Sequence, residues 1–345
     1  MHLKNQLSKR LSRSLAFLDN YWFYPAPLFN LALCRIIFVG FQLGYLLIKD
    51  YRTEVLTRSE VPSLTYSPLP VLQLLNYIFP WDAPPVSFLE TVFWLSAGFG
   101  ALALVGLKTN FSLLIFAIGN IYLQSYLYSF GSFHHPQAIM LVALLLLALS
   151  PSGKLLSVDS FNNKVFDKKL GKNSSSDNYK QINILQASSP FARWPLLLIQ
   201  WLFGLAYLSA ALNKLVLDGP GLFTLDWMNG YTLQYYLIRD GLLWGSNLGI
   251  WIGQQHSLIL IFSIVAILFE ATFCLTLVFP KLVWLYIPTG ALFHIGIYMA
   301  QRAPFFQYLA LYAAFIPWTA VIKMVRYRLK KTNIAAEHTD TSARW

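Results

Sequence analysis

The sequence predicts an all-α, polytopic transmembrane helical bundle of about eight transmembrane helices, with both termini cytoplasmic. Three observations carry that expectation. Hydrophobic residues fill 56% of the 345 positions and charged residues only 12%, about half the share of a soluble domain. Apolar runs near the ~20 residues that cross a bilayer recur along the chain. Basic residues cluster in the N-terminal arm, in the Lys154–Arg193 loop and after Lys323, the pattern that orients basic segments toward the cytoplasm. The formal charge of +11 therefore reads as membrane orientation. No nucleic-acid motif accompanies it, so no nucleic-acid partner is expected. The expected partners begin with membrane lipids, and the expected location is the cell (cytoplasmic) membrane, multi-pass.

The elements follow in order. Residues 1–24 form a basic amphipathic interfacial arm, with Leu3, Leu7, Leu11 and Leu15 at helical spacing against Lys4, Lys9, Arg10 and Arg13. A transmembrane domain occupies 25–325, with spans expected at 28–48, 86–107, 110–129, 134–150, 194–214, 257–279, 282–301 and 304–324. The loop 49–85 carries "PLPVLQLLNYIF", a short apolar helix for the outer interface. Residues 151–193 form a cytoplasmic linker whose "KKLGKNSSSDNYK" has a disordered composition. The segment 215–256 returns to the outer face with "DWMNGYTLQYYLI", a re-entrant or interfacial helix. Residues 326–345 are a basic cytoplasmic tail.

Chemistry-bearing motifs are sparse. Cys34 and Cys274 sit in apolar runs and imply neither a disulfide framework nor a cysteine metal site. No HExxH, CxxC, P-loop, GxSxG or dinucleotide fingerprint occurs, and no metal is expected. Polar residues at membrane depth are the informative set, because an ionisable group there costs about 2.5–3.5 kcal/mol on insertion scales and requires a partner or a watery cavity. Arg35 lies about seven residues into the first span and Glu270 lies midway through the sixth. The two are natural counter-charges, or one of them binds an anionic or phenolic group. His134 and His135 open the fourth span, and His294 sits inside the seventh, where a neutral imidazole forms an interhelical hydrogen bond or faces a cavity. Asn120, Gln124, Gln137 and Gln200 line the same cavity or tie helices together.

Tyr207, Ala210, Ala211 and Lys214 share one face of the fifth span, at i, i+3, i+4 and i+7. Small residues at 209–211 let a neighbour or ligand approach. Lys214 is open to two readings: an anchor reaching for the outer headgroups, or a buried amine competent as a general base.

Several segments, taken together and in order, resemble the HTTM family, the transmembrane domain shared with vitamin K-dependent gamma-carboxylase. They are "PAPLFNLALCRIIFVGFQLGYLL" with Arg35, "GLKTNFSLLIF", "FHHPQAIMLVALLLLALSPSGKLLSVD" with Ser157 and Asp159, "YLSAALNKL…DWMNGYTLQYYL", "FEATFCL" and "GALFHIGIYMA". The likeness covers roughly 25–325. It implies Lys214 as the base that deprotonates a vitamin K or menaquinone hydroquinone, with O2 and CO2 as co-reactants, and His135 as the second catalytic residue. Arg35, Glu270, His294, Tyr207 and Trp227 then bind the cofactor. This chain departs from the carboxylase in lacking its large C-terminal lumenal domain, in having Asn213 where a second lysine stands, and in a longer step from lysine to tryptophan. Stand-alone members resemble membrane proteins of bacterial peptide-toxin maturation operons, the sporulation-delaying system among them. The resemblance thus implies quinone-linked modification or maturation of a secreted peptide. Its alternative is a non-enzymatic membrane partner in toxin maturation, export or immunity, working with an operon-encoded protein. A transporter is the weakest reading, since no inverted repeat or pair of broken helices is visible.

Overall fold

A computed structural model of the chain describes residues 15–48, 51–59, 65–76, 81, 83–131, 135–162, 184–216 and 225–329. Residues 1–14 of the expected arm, 163–183 of the linker and 330–345 of the tail lie outside them. The helices are α1 (15–23), α2 (Leu28–Ile48), α3 (Tyr51–Ser59), α4 (Pro70–Asn76), α5 (Val86–Val105), α6 (Thr109–Tyr128), α7 (His135–Ala148) and α8 (158–162). They continue with α9 (Arg193–Val216), α10 (Tyr231–Trp244), α11 (Asn247–Gly253), α12 (His256–Thr272), α13 (Leu275–Val278), α14 (Val283–Gln301), α15 (Phe306–Leu311) and α16 (Trp318–Leu329). A two-residue antiparallel ladder, Ala26–Pro27 with Ser188–Ser189, joins the start of α2 to the approach to α9.

Six segments among the described residues are long and apolar enough to cross a bilayer: Leu28–Ile48, Val86–Val105, Thr109–Tyr128, Pro190–Leu215, His256–Val278 and Pro280–Gln301. The chain is a multi-pass, all-α membrane protein. The other two expected spans take a different form. α7 has 14 residues, about 21 Å at 1.5 Å per residue, which is short of the ~30 Å hydrocarbon core. The expected span 304–324 is broken into Phe306–Phe315 and Trp318–Leu329, bent by 78°. The break falls at Pro317, which has no amide hydrogen and pushes its predecessor out of the helical region. Ile316 accordingly lies at φ −81°, ψ 124°.

α5, α6 and α7 pack side by side in chain order, with α2 against α5 and α7. α9 joins this group through α7 and carries α12 on its other side. At one end of the bundle, the basic end, lie the turns holding Lys108, Lys154, Arg193 and Lys281. At the far end α10 and α11 form a short hairpin that rests on both α12 and α14.

The α5–α6 turn shows how closely the basic end is built. Gly106 adopts φ +78° and returns its N–H to the Leu102 carbonyl, and Lys108 adopts φ +44° just before α6. The exposed first N–H groups of α6 then find their acceptor in another segment. The Asp159 carboxylate accepts from Lys108 N at 2.8 Å, and from Thr109 N and Thr109 Oγ1 at 2.7 Å. Burial raises the Asp159 pKa, but these bonds and the nearby Arg35 charge outweigh it and hold the carboxyl below its ordinary value.

Arg35 corrects one expectation. It does not pair with Glu270. Its side chain is fully buried and donates from Nη1 to the Ser152 carbonyl at 3.1 Å and from Nη2 to the Leu156 carbonyl. The reason is helix order: α2 lies against α5, α7 and α15, whereas α12 lies against α9, α10 and α11. The buried amides tie helices together. Gln42 donates to Asn120 at 2.9 Å, Gln307 to Gln137 at 2.9 Å, and Gln200 to the Ala314 carbonyl at 2.7 Å.

Candidate functional site

α9 supplies the first side chains of the site. Its small residues at 209–211 leave a hollow, and a cavity of about 990 Å³ fills it, walled by α7, α9, α10, α11, α12, α14 and α15. That is at the upper end of the range in which proteins bind small organic ligands. Most of the wall is apolar or aromatic, and two groups of polar side chains are bonded together along α9.

The first is Lys214. Its ammonium does not run out to the helix end. Its Nζ reaches both oxygens of Glu270, at 2.6 and 2.5 Å. The Glu270 side chain is 7% exposed and that of Lys214 20%. On another side the ammonium sits 5.0 Å from the centroid of the Trp227 ring, a cation–π contact that strengthens as water is excluded. Trp227 belongs to a 3₁₀ turn, Leu225–Asn229, that ends at Gly230. Gly230 has φ +83° and a side chain there would press on Ile259, so the turn needs glycine to sit down on α12. The spacing Trp-x-x-Gly is thus the geometry that lays an indole over the amine.

The second group is two helical turns away. Tyr207 is 3% exposed, and its hydroxyl lies 2.5 Å from His294 Nε2 and 2.5 Å from the Tyr312 hydroxyl. Two directions close this chain, and each leaves one proton without an acceptor among the described residues: with Tyr312 donating to Tyr207 and Tyr207 to His294 Nε2, that proton is on Nδ1. In the reverse direction the Tyr312 proton has no acceptor among the described residues. His294 is 4% exposed and lines the cavity, and its Nδ1 has no hydrogen-bond partner. A buried polar atom left unmatched is costly, and a ligand oxygen would satisfy it. Phe203, Phe269, Phe273 and Tyr308 surround the pair edge-on and tilted.

Five sequence-derived candidates therefore meet at one cavity: Lys214, Tyr207, Trp227, Glu270 and His294. Arg35 does not join them, being spent on the 152–156 carbonyls. His135 begins α7, but its side chain, like His134, lies outside the described residues. Sequence reasoning missed Tyr308, Tyr312 and Asp240. The two tyrosines stand four apart in "QYLALY", a spacing that places them on one helical face, and this was their only signal. Asp240 lines the cavity near its far end and is held at 2.7 Å by its neighbour Arg239. No group of three or more possible metal ligands occurs among the described residues. A smaller cavity of about 230 Å³ beside α4, α5 and α6 is apolar, with Ser96 and two tyrosines as its polar members.

Fold and site together define a multi-pass membrane protein with an ionised pair and an aromatic hydrogen-bond chain facing an intramembrane cavity. Comparison of the chain with protein-family models, curated proteins and solved structures finds no match.

Proposed function

We propose that the protein is a cell-membrane enzyme that binds a quinol-type ring in this cavity and uses Lys214 as a base, in the modification or maturation of a secreted peptide. The observation that carries the proposal is the Lys214–Glu270 pair, made through both carboxylate oxygens and facing a largely apolar cavity. The residues suit a flat aromatic ligand with oxygens at its edge. The walls are aromatic, Lys214 and Glu270 offer a proton-exchanging pair, and His294 Nδ1 is an unmatched polar atom.

In this reading Glu270 takes a proton from the Lys214 ammonium, which frees the amine lone pair. Lys214 then removes a phenolic proton and, again an ammonium, stays beside the oxygen left behind. Low dielectric makes that attraction strong. Trp227 holds the ammonium from its other side, and Tyr207 and Tyr312 fix His294 as donor to the second oxygen. A bound hydroquinone would supply the electrons that O2 accepts, and CO2 is the one-carbon co-reactant that the carboxylase resemblance adds. The residues' share is to bind, to orient and to move one proton.

A second reading has support in the far-end hairpin. Leu242, Leu243, Trp244 and Trp251 are each more than half exposed there, a surface suited to a docked peptide or an operon-encoded partner. In that reading the protein assists toxin maturation, export or immunity without chemistry at Lys214.

One experiment separates the two. The chain is co-expressed with its neighbouring secreted peptide, and the peptide is weighed for added mass, one CO2 per glutamate being the first candidate. Replacing Lys214 and Glu270 together by Met and Leu keeps the volume and removes the base. Loss of the added mass supports the enzyme; an unchanged peptide product overturns it.

A further inference from the structure

α12 and α14 are consecutive spans joined by the short 279–282 turn, yet they do not pack along each other. α12 rests on α9, α10 and α11, and α14 rests on α10, α11 and α15. Near the basic end, aromatic rings fill the gap between the two helices. Phe269 lies 5.6 Å from Phe293 and 5.6 Å from Tyr286, and Tyr286 donates to Thr272 Oγ1 at 2.8 Å. Nearer the far end this filling stops. Phe262 and Val265 on α12, and Leu292 and Gly296 on α14, line the cavity. Three of them are well accessible, Phe262 at 42%, Val265 at 53% and Leu292 at 71%, and the cavity they line is not enclosed. Accessible apolar residues on two helices that do not pack along each other, beside a cavity that is not enclosed, mark a gap in its wall. At Gly296 a side chain would meet nothing within 4 Å.

We propose that the cavity opens sideways into the bilayer between α12 and α14, and that this opening holds the linear apolar tail of a membrane-dissolved ligand whose polar head lies at Lys214 and Glu270. The chemistry of the rim selects the tail. The four rim positions offer no charge and no hydrogen-bonding side chain, so a polar chain would be unmatched there, while a methylene or isoprenoid chain passes from apolar wall to lipid with no loss. The far end, by contrast, is roofed by α10 and α11, so a ligand already dissolved in the membrane has a route that avoids water. Gly296 is the narrow point in chemical terms, since it is the place where added bulk would close the gap without displacing protein atoms. The quinone identity of the head rests on the reading above; the opening and its apolar occupant do not.

The test uses the full chain in lipid nanodiscs and three variants. Gly296→Phe plugs the gap, Gly296→Ala adds a single carbon, and Gly98→Phe places the same bulk at another open glycine on α5 that lines no cavity. Binding is measured for a naphthoquinone without a side chain and for one with a long isoprenoid chain. Gly296→Phe is expected to weaken the long-chain probe on the order of tenfold, because the added ring takes up the space of the tail. The tail-less probe should stay within about twofold of wild type, and the two control variants should leave both probes there. Equal loss of both probes, or loss of neither, overturns the opening while leaving the quinone reading in place. A fall in oligomeric mass on plugging with Gly296→Phe also overturns it, by making the gap an interface between copies. If wild type binds neither naphthoquinone, the head reading falls, and a diazirine-bearing fatty acid decides the opening. Labelling of the 262–265 and 292–296 segments that Gly296→Phe removes upholds it; labelling that persists refutes it.

Discussion

Tyr207 and Lys214 stand seven residues apart on one face of α9, and their polar ends reach the same cavity through separate partners, His294 and Tyr312 for the first and Glu270 for the second. A seven-residue step is about 10 Å of helix. The cavity therefore has two hydrogen-bonded polar groups, whose residues on α9 stand about 10 Å apart along the helix.

The Lys214–Glu270 pair makes its removal asymmetric. Lys214→Ala or Glu270→Gln alone leaves a mostly buried partner charged and unmatched, and is expected to destabilise by on the order of 3 kcal/mol. The Lys214→Met, Glu270→Leu double variant replaces both with apolar groups and should return to within about 1 kcal/mol of wild type. Thermal unfolding of the three variants in one detergent checks this. A double variant less stable than either single one would show that the pair is more than a compensated burial.

The direction of the tyrosine–histidine chain is measurable. Selective 15N labelling of histidine, with His294→Asn to assign the signal, should find the ring proton of His294 on Nδ1. Tyr312→Phe should keep it there, because Tyr207 still donates to Nε2. Tyr207→Phe removes that donor, costs about 1 kcal/mol, and should let the tautomer shift. A wild-type signal from protonated Nε2 would reverse the assigned order.

Gly290 reports on the same chain from behind. A methyl group there would fall on the Tyr312 hydroxyl, so Gly290→Ala should destabilise by about 1–3 kcal/mol through overpacking. Adding Tyr312→Phe removes the crowded oxygen and should recover most of the loss. A double-mutant cycle on melting temperature would show the coupling directly.

How much of this was readable in advance differs by element. Apolar run length located α2 to the residue and placed α5, α6, α9 and α14 within two, because a membrane core sets helix length directly. The face shared by Tyr207 and Lys214 followed from helical spacing alone. The partner of Glu270 did not. Arg35 was the expected partner and Lys214 is the actual one, because the pairing depends on which helices are neighbours, which composition does not encode. The bend at Pro317 had a signal in "FIPW" that the continuous apolar run obscured. Tyr308 and Tyr312 were hidden for a different reason: tyrosine is common at membrane interfaces, so their type alone did not point to a buried hydrogen-bond chain.

Asp159 supplies a pH prediction. Its carboxyl is held below the ordinary value of 3.8, so its contribution is fully present above that value and is lost as pH falls below it. Asp159→Asn should therefore lower stability at neutral pH by about 1 kcal/mol, as for a lost helix cap. The gap to wild type should hold down to about pH 4 and close in more acid solution. A gap that widened on acidification would contradict the role of the carboxylate as acceptor for Lys108 and Thr109.

The Arg35 staple has a consequence for how the protein is made. Its carbonyl acceptors lie 117 and 121 positions further along the chain. The first span therefore leaves the ribosome, and enters the membrane, with its cation unmatched. That leaves a burden of about 2.5–3.5 kcal/mol, which the strongly apolar remainder of α2, at a mean hydropathy of 2.0, has to carry. Only when the turn after α7 has been synthesised does the guanidinium find its acceptors. Synthesis up to Leu156 is thus a checkpoint in assembly: a nascent chain stopped earlier holds its first helix by hydropathy alone, and one that passes it has locked the first span to the turn after α7.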